Sequence, residues 1–227
     1  MTTTWRPRIV LASLMAAGLS TAAQAQDATG DWIGTVKTPG AELTVTLHVK
    51  TGANGALEGH AGSPDQTPDP LPMTDVAVKD GTLSFAVPVV QATYAPKWDP
   101  AARAWTGTLT QAGYDMPLTL TRGKVGPRPT VAGLDGQWAG VLAAPQGDLR
   151  IVITVKTGAG GTSAMFASPD QSPDQMAAAP TRQGDAVVFE LKGIGQFDGK
   201  LSPDGQTLEG LWRQGGGSLP LTLKKGG

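Results

Sequence analysis

Gly30-Asp31-Trp32-Ile33-Gly34 returns 106 residues later as Gly136-Gln137-Trp138-Ala139-Gly140, and the rest of the chain falls into place around that repeat. The eleven residues from Glu42 to Gly52 return at the same offset as Asp148 to Gly158. Ser63-Pro64-Asp65-Gln66 returns at an offset of 105 as Ser168-Pro169-Asp170-Gln171, and Leu83-Ser84-Phe85 at 104 as Val187-Val188-Phe189. Pro117-Leu118-Thr119-Leu120 returns at 103 as Pro220-Leu221-Thr222-Leu223. The offset shrinks one residue at a time, and a turn can absorb each loss. Self-similarity of this kind marks an architecture built by repetition. It divides the chain into one unit at 30–123 and a second at 136–226. The linker at 124–135 follows Gly123 and is punctuated by Gly126-Pro127-Arg128-Pro129.

Within each unit the apolar residues recur with period two. Leu43, Val45, Leu47 and Val49 alternate with Thr44, Thr46, His48 and Lys50, and Leu149, Ile151, Ile153 and Val155 repeat the pattern. That is the periodicity of half-buried strands. Leu83, Phe85, Val87 and Val187, Phe189, Leu191 form a second matched stripe. No sustained 3.6-residue pattern occurs after residue 25. The first unit is predicted to hold eight strands, near 31–37, 42–50, 56–62, 71–78, 82–88, 90–95, 104–110 and 115–122, and the second to follow the same order. Short Gly-rich turns such as Gly52-Ala53-Asn54-Gly55 favour sequential antiparallel pairing. The expected fold is all-β: two tandem antiparallel up-and-down barrels of about eight short strands each, preceded by a signal-peptide helix. Trp105, Gly107 and Leu109 share one face of a strand, and their counterparts are Leu208, Gly210 and Trp212. The large ring moves from one end of the stripe to the other while total volume is kept, a change that cores tolerate. About 93 residues for eight strands leave little room inside, which favours side-chain-filled barrels over a wide cavity.

Residues 1–25 read as a secretory signal peptide. Arg6 and Arg8 precede an apolar run from Ile9 to Leu19, and Ala23-Gln24-Ala25 is a small-x-small cleavage site. The run is short for a membrane span, so no span is expected after cleavage, and the predicted location is the periplasm or the medium. With 18 basic and 19 acidic residues the net charge is −1, which removes the electrostatic case for nucleic-acid binding. The chain has no cysteine and two histidines. That excludes disulfides, thiolate metal sites, a cysteine nucleophile and a three-histidine zinc centre. No Gly-x-Ser-x-Gly elbow is present. His48 and His60 lack a placed partner, so no catalytic residue, metal ligand or cofactor is assigned.

The Ser-Pro-Asp-Gln motifs are the strongest polar features. Ser suits the first position of a β-turn and Pro the second. As a ligand or partner rim they nominate Ser63, Asp65, Gln66, Ser168, Asp170 and Gln171. Trp98, in the turn-like stretch Lys97-Trp98-Asp99-Pro100, is read as exposed and joins that rim as the aromatic most open to contact.

Two resemblances add to this. The Gly-x-Trp opening of the first strand resembles the calycin barrels, in which a basic residue late in the barrel packs over the Trp and closes one end. The resemblance implies closure by Arg122 over Trp32 and by Lys225 over Trp138. The succession of Gly-x-Trp-x-Gly, alternating strand, Ser-Pro-Asp-Gln and Leu-Pro-Leu-Thr-Leu is similar to a small β-domain found ahead of exported bacterial α/β-hydrolases. No hydrolase sequence follows the second unit here, so that resemblance implies an accessory, non-catalytic module. The expected function is binding of a partner or small ligand through loops and barrel rim, in support of an exported hydrolase. The alternatives are a carrier of a small hydrophobic ligand in a barrel interior and a hydrolase with an unrecognised site.

Overall fold

A computed structural model describes residues 27–38, 42–126 and 128–226. The signal peptide read at 1–25 lies outside the described residues. Everything described is strand, turn or loop, apart from one turn of 3-10 helix at Pro88–Val90.

The second unit is a closed eight-stranded antiparallel barrel. Its strands are β11 (Gly136–Ala144), β12 (Gly147–Gly158), β13 (Gly161–Ala167), β14 (Gln175–Gln183), β15 (Ala186–Leu191), β16 (Gly195–Leu201), β17 (Thr207–Gln214) and β18 (Gly217–Lys225). Each pairs with the next, and β18 returns to β11, where Trp138 sits opposite Lys225. Inward side chains follow the period-two stripe: Ile151, Ile153, Val155, Val187, Phe189 and Leu191 are all buried. Phe189 and Phe197 lie opposite each other on β15 and β16.

The first unit departs from eight strands and from closure. Its ten strands are β1 (Gly30–Lys37), β2 (Glu42–Thr51), β3 (Leu57–Gly62), β4 (Leu71–Pro72), β5 (Thr74–Lys79), β6 (Thr82–Val87), β7 (Ala92–Tyr94), β8 (Lys97–Asp99), β9 (Ala104–Gln111) and β10 (Tyr114–Arg122). The sheet runs β4-β3-β2-β1-β10-β9-β7-β6-β5, with β8 bridging β6 and β9, and no ladder joins its two ends. The expected second closed up-and-down barrel is thus a rolled sheet whose seam is not zipped. The break lies at Met73, between β4 and β5. Pro70 and Pro72 stand where the closed barrel has Gln175 and Ala177; Pro72 still sits opposite His60 of β3, as Ala177 does opposite Met165 of β13, whereas Pro70 lies outside β4. Proline has no N–H to give a ladder. The strand predicted at 71–78 breaks at Met73, Asp75 takes a φ of 56°, and the register of β5 on β6 shifts between Thr74 and Ala77. Met73 N–H donates to Gly59 O at 3.1 Å, which carries the contact with β3 one residue past β4.

Each unit has its own apolar core. The cores begin earlier than the sequence boundaries. Ala28 and Leu134, 106 residues apart, are buried beneath Trp32 and Trp138 and accept the indole N–H of each, at 2.8 and 2.7 Å. The segment read as linker is held against the second barrel. Arg128 N–H donates to Gly160 O, Thr162 N–H to Pro129 O, and Val131 N–H to Thr162 Oγ1.

Candidate functional site

One end of each unit is plugged by its first tryptophan. Trp32 and Trp138 are fully buried. The Arg122 guanidinium carbon lies 4.1 Å from the Trp32 ring centre, and Lys225 Nζ lies 5.4 Å from that of Trp138. Arg122 also donates to the carbonyls of Asp27 and Thr29. The flanking glycines have separate causes. Gly30 and Gly136 take φ of 105° and 119°, which side chains avoid. A Cβ on Gly34 or Gly140 would run into the carbonyl oxygen of Thr119 or Thr222 on the neighbouring strand.

The other large rings divide the two units. In the first, Trp105 and Trp98 pack edge-on against Trp32, with centroids 6.2 and 6.0 Å away. Trp98 therefore stands on β8, half-buried against the core, and not at an exposed rim. In the second unit Leu208 replaces Trp105, and the ring reappears as Trp212 four residues along β17, towards the opposite end. There it stacks on Phe166 at 5.1 Å and 19°. Between that stack and the rim opens a mouth of about 380 Å³. Leu142, Leu149, Ile151, Met176, Ile194 and Leu219 line its apolar wall. The polar side chains at its edge are Gln146, Gln171, Gln214 and Ser218. Trp212 Nε1–H donates to Gln214 Oε1 at 3.1 Å. The second barrel is therefore filled at its Trp138 end and hollow at its Trp212 end. The sequence carried the displaced ring, but as volume compensation; the hollow above it depends on Phe166, whose first-unit counterpart is Ala61.

The Ser-Pro-Asp-Gln motifs form the expected turns, with Gln66 N–H donating to Ser63 O and Gln171 N–H to Ser168 O, at 2.8 and 2.9 Å. Their carboxylates turn inward to the protein. Asp65 Oδ2 accepts Thr44 N–H at 2.5 Å, and Asp170 Oδ2 accepts Arg150 N–H at 2.7 Å, so each loop clamps the second strand of its unit. The remaining oxygens diverge. Asp65 pairs with Arg128 of the linker, whereas Asp170 holds the Arg150 guanidinium of its own barrel. That hydrogen-bonded pairing keeps the Asp170 carboxyl below its ordinary value and raises Arg150. Ser63 Oγ donates to Gln66 Oε1, whereas Ser168 Oγ is buried and has no partner among the described residues. Of the rim residues, Gln171 alone lines the mouth. The loop around Asp65 instead meets the second unit: Pro68 lies against Gly158 and Gly160, and Lys156 Nζ reaches Asp69 at 2.5 Å.

A second hollow, about 400 Å³, lies where the units meet, bounded by Asp31, His48, His60, Lys124, Pro68 and Gly160 among others. His48 Nδ1 is 2.8 Å from Asp31 Oδ1, and the His48 and His60 rings stack at 5.1 Å. The bond from His48, and Lys124 at 3.0 Å, hold the Asp31 carboxyl below its usual range. Burial, then the neighbouring His48, lowers His60. This Asp–His pair has no serine lining its hollow, and serine catalysis needs one in reach. Among the described residues no cluster of three or more His, Asp or Glu side chains is placed to hold a metal, and no helix is long and apolar enough to cross a membrane.

No protein-family model matches the chain, and no curated protein does. Among solved structures, a protein of unknown function from the DUF3598 family of Nostoc punctiforme is similar over 88% of this chain and 96% of its own, with 14% identity and a TM-score of 0.27. A superposition that loose carries no argument about activity.

Proposed function

We propose that this chain is an exported, non-catalytic β-barrel protein that binds a small apolar ligand at the mouth of its second barrel. One observation carries the reading: a barrel plugged by Trp138 at one end opens at the other onto stacked Phe166 and Trp212 beneath about 380 Å³ of space. Small-molecule sites are concave, mostly apolar and roughly 300–1,000 Å³ in volume. Export rests on the reading of residues 1–25, and support of an exported hydrolase on the second resemblance.

The test is a titration of the mature chain with a small apolar probe such as 1-octanol, followed by NMR of the indole N–H signals and by thermal unfolding. Binding shifts the Trp212 signal (assigned with Trp212→Phe) in a saturable way. At a hundredfold excess over Kd it stabilises the fold by about 2.7 kcal/mol. An unmoved Trp212 signal, or a saturable response at Trp32 or Trp105 instead, refutes the proposal.

A further inference from the structure

We infer that the mature protein takes an extended peptide segment of another chain, with a branched aliphatic side chain, into the fork between β3 and β5 of its first unit. This uses no residue of the mouth; it rests on the reading of residues 1–25 as cleaved. The second unit shows what such a fork holds. The ladder of β13 with β14 ends at Ala164 and Ala178, and from Ala179 onward β14 pairs with β15 alone. Residues 128–132 enter there. Arg128 N–H donates to Gly160 O, Thr162 N–H to Pro129 O, and Val131 N–H to Thr162 Oγ1. From the other side, Arg182 Nη1 of β14 donates to Ala132 O at 2.8 Å. Val131 is part of the core, and Thr162 and Ser163 are only 2% and 1% exposed.

The first unit has the same fork. Gly59 and Met73 stand at the places of Ala164 and Ala178, and β3 and β5 share no ladder beyond them. Thr162 and Ser163 correspond to Leu57, which is half-buried, and Glu58, which is exposed. Gly52 N–H donates to Ala56 O, so Leu57, opposite Thr51, turns its own N–H and C=O away from β2. β4 pairs only with His60 and Ala61, so no strand faces Leu57 among the described residues. Strand backbone left in this way is what an added segment pairs with. Because Ala28 and Leu134 are equivalent, the repeat puts residues 22–26 where 128–132 lie. Cleavage after Ala25 removes four of those five, and Ala25 is the counterpart of Val131. The fork of the mature chain is thus left for a segment from outside. Its walls set the chemistry of that segment. Thr162 and Arg182, which grip the backbone in the second unit, correspond to Leu57 and Val78. With Val76 these half-buried aliphatics pack on the first core. An entering segment is held by its paired backbone and by an aliphatic side chain in the place of Val131, where a charge would lose its water.

The experiment titrates the isotope-labelled chain that begins at Gln26 with the capped peptide Arg-Pro-Thr-Val-Ala, copied from residues 128–132, and with the same peptide carrying Asp in place of Val. NMR follows the Leu57 amide. The Val peptide is expected to shift it saturably and to slow its hydrogen exchange at least tenfold, and the Asp peptide to bind at least tenfold more weakly. A second chain, with Arg-Pro-Thr-Val joined ahead of Gln26, holds the segment at an effective concentration of about millimolar. It is expected to protect Leu57 unaided and to exclude the free peptide. The Trp212 signal stays in place throughout, so the mouth stands or falls separately. Equal binding of the two peptides, or a Leu57 amide that neither the free nor the joined segment moves, overturns the inference. Protection by the joined segment alone assigns the fork to the chain's own residues 22–26 and overturns docking of another chain.

Discussion

Replacing Trp32 and Trp138 by alanine, one at a time, separates two positions that the repeat makes equivalent. Both rings are fully buried and both donate to a backbone carbonyl four residues earlier. Truncating a buried Trp costs about 3–5 kcal/mol, and that share is common to the two. Trp32 has more to lose. It meets Trp98 and Trp105 edge-on, and such pairs contribute about 0.5–1.5 kcal/mol each. Arg122 stands 4.1 Å over its face, whereas Lys225 stands 5.4 Å from Trp138, which has no aromatic partner among the described residues. Trp138→Ala should therefore cost about 3–5 kcal/mol, and Trp32→Ala about 1–3 kcal/mol more. Urea unfolding followed by circular dichroism reads both. Melting temperatures should fall by about 4–8 °C per kcal/mol for units of this size. Equal losses, or a larger loss at Trp138, would refute the claim that the tryptophan cluster supports the plug of the first unit. Losses under about 1 kcal/mol at both would refute burial itself.

His60 makes stability pH-dependent. Its folded pKa is depressed, so the unfolded chain binds the proton more readily below about pH 6.5. Stability should fall as pH drops through that range, and His60→Gln should flatten the fall in urea midpoint between pH 7.5 and 5.5; an unchanged slope would contradict this. Asp65→Ala removes both the clamp on Thr44 and the tie to Arg128, whereas Asp170→Ala loosens only its own barrel. Trypsin should cut after exposed Lys124 faster in Asp65→Ala than in the unaltered chain, with Asp170→Ala cut at the original rate, and equal cutting in the two variants would argue against the tie.

Strand positions were legible because each stripe alternates strictly, and a one-residue slip would turn Leu43, Val45, Leu47 and Val49 to water. Inner and outer faces followed for the same reason. What escaped was set by contacts distant in sequence. Lys97–Asp99 looks like a turn because of Pro100, yet Trp98 is drawn into the core by Trp32 and Trp105. Ala28 and Leu134 lie before the repeated motif, and only the indole N–H above each reveals why they belong to it. Pro70 and Pro72 were visible, but the break at Met73 that follows them was not. For the site, the transfer of the ring from Trp105 to Trp212 was readable. The mouth was not, because it also needs Phe166 on another strand. The Asp65 and Asp170 loops read identically and diverge only through which arginine the fold brings near.

The open seam of the first unit leaves backbone amides and carbonyls on two sheet borders, the outer edges of β4 and β5. Such borders invite a foreign strand to dock, the first step of fibril growth. A chain that carries a second copy of every strand has suitable guests built in. Pro70 and Pro72 blunt one border, because neither has an N–H to give an intruder's ladder. Substituting both would remove that guard, and the cost would show first in the tendency of the protein to aggregate.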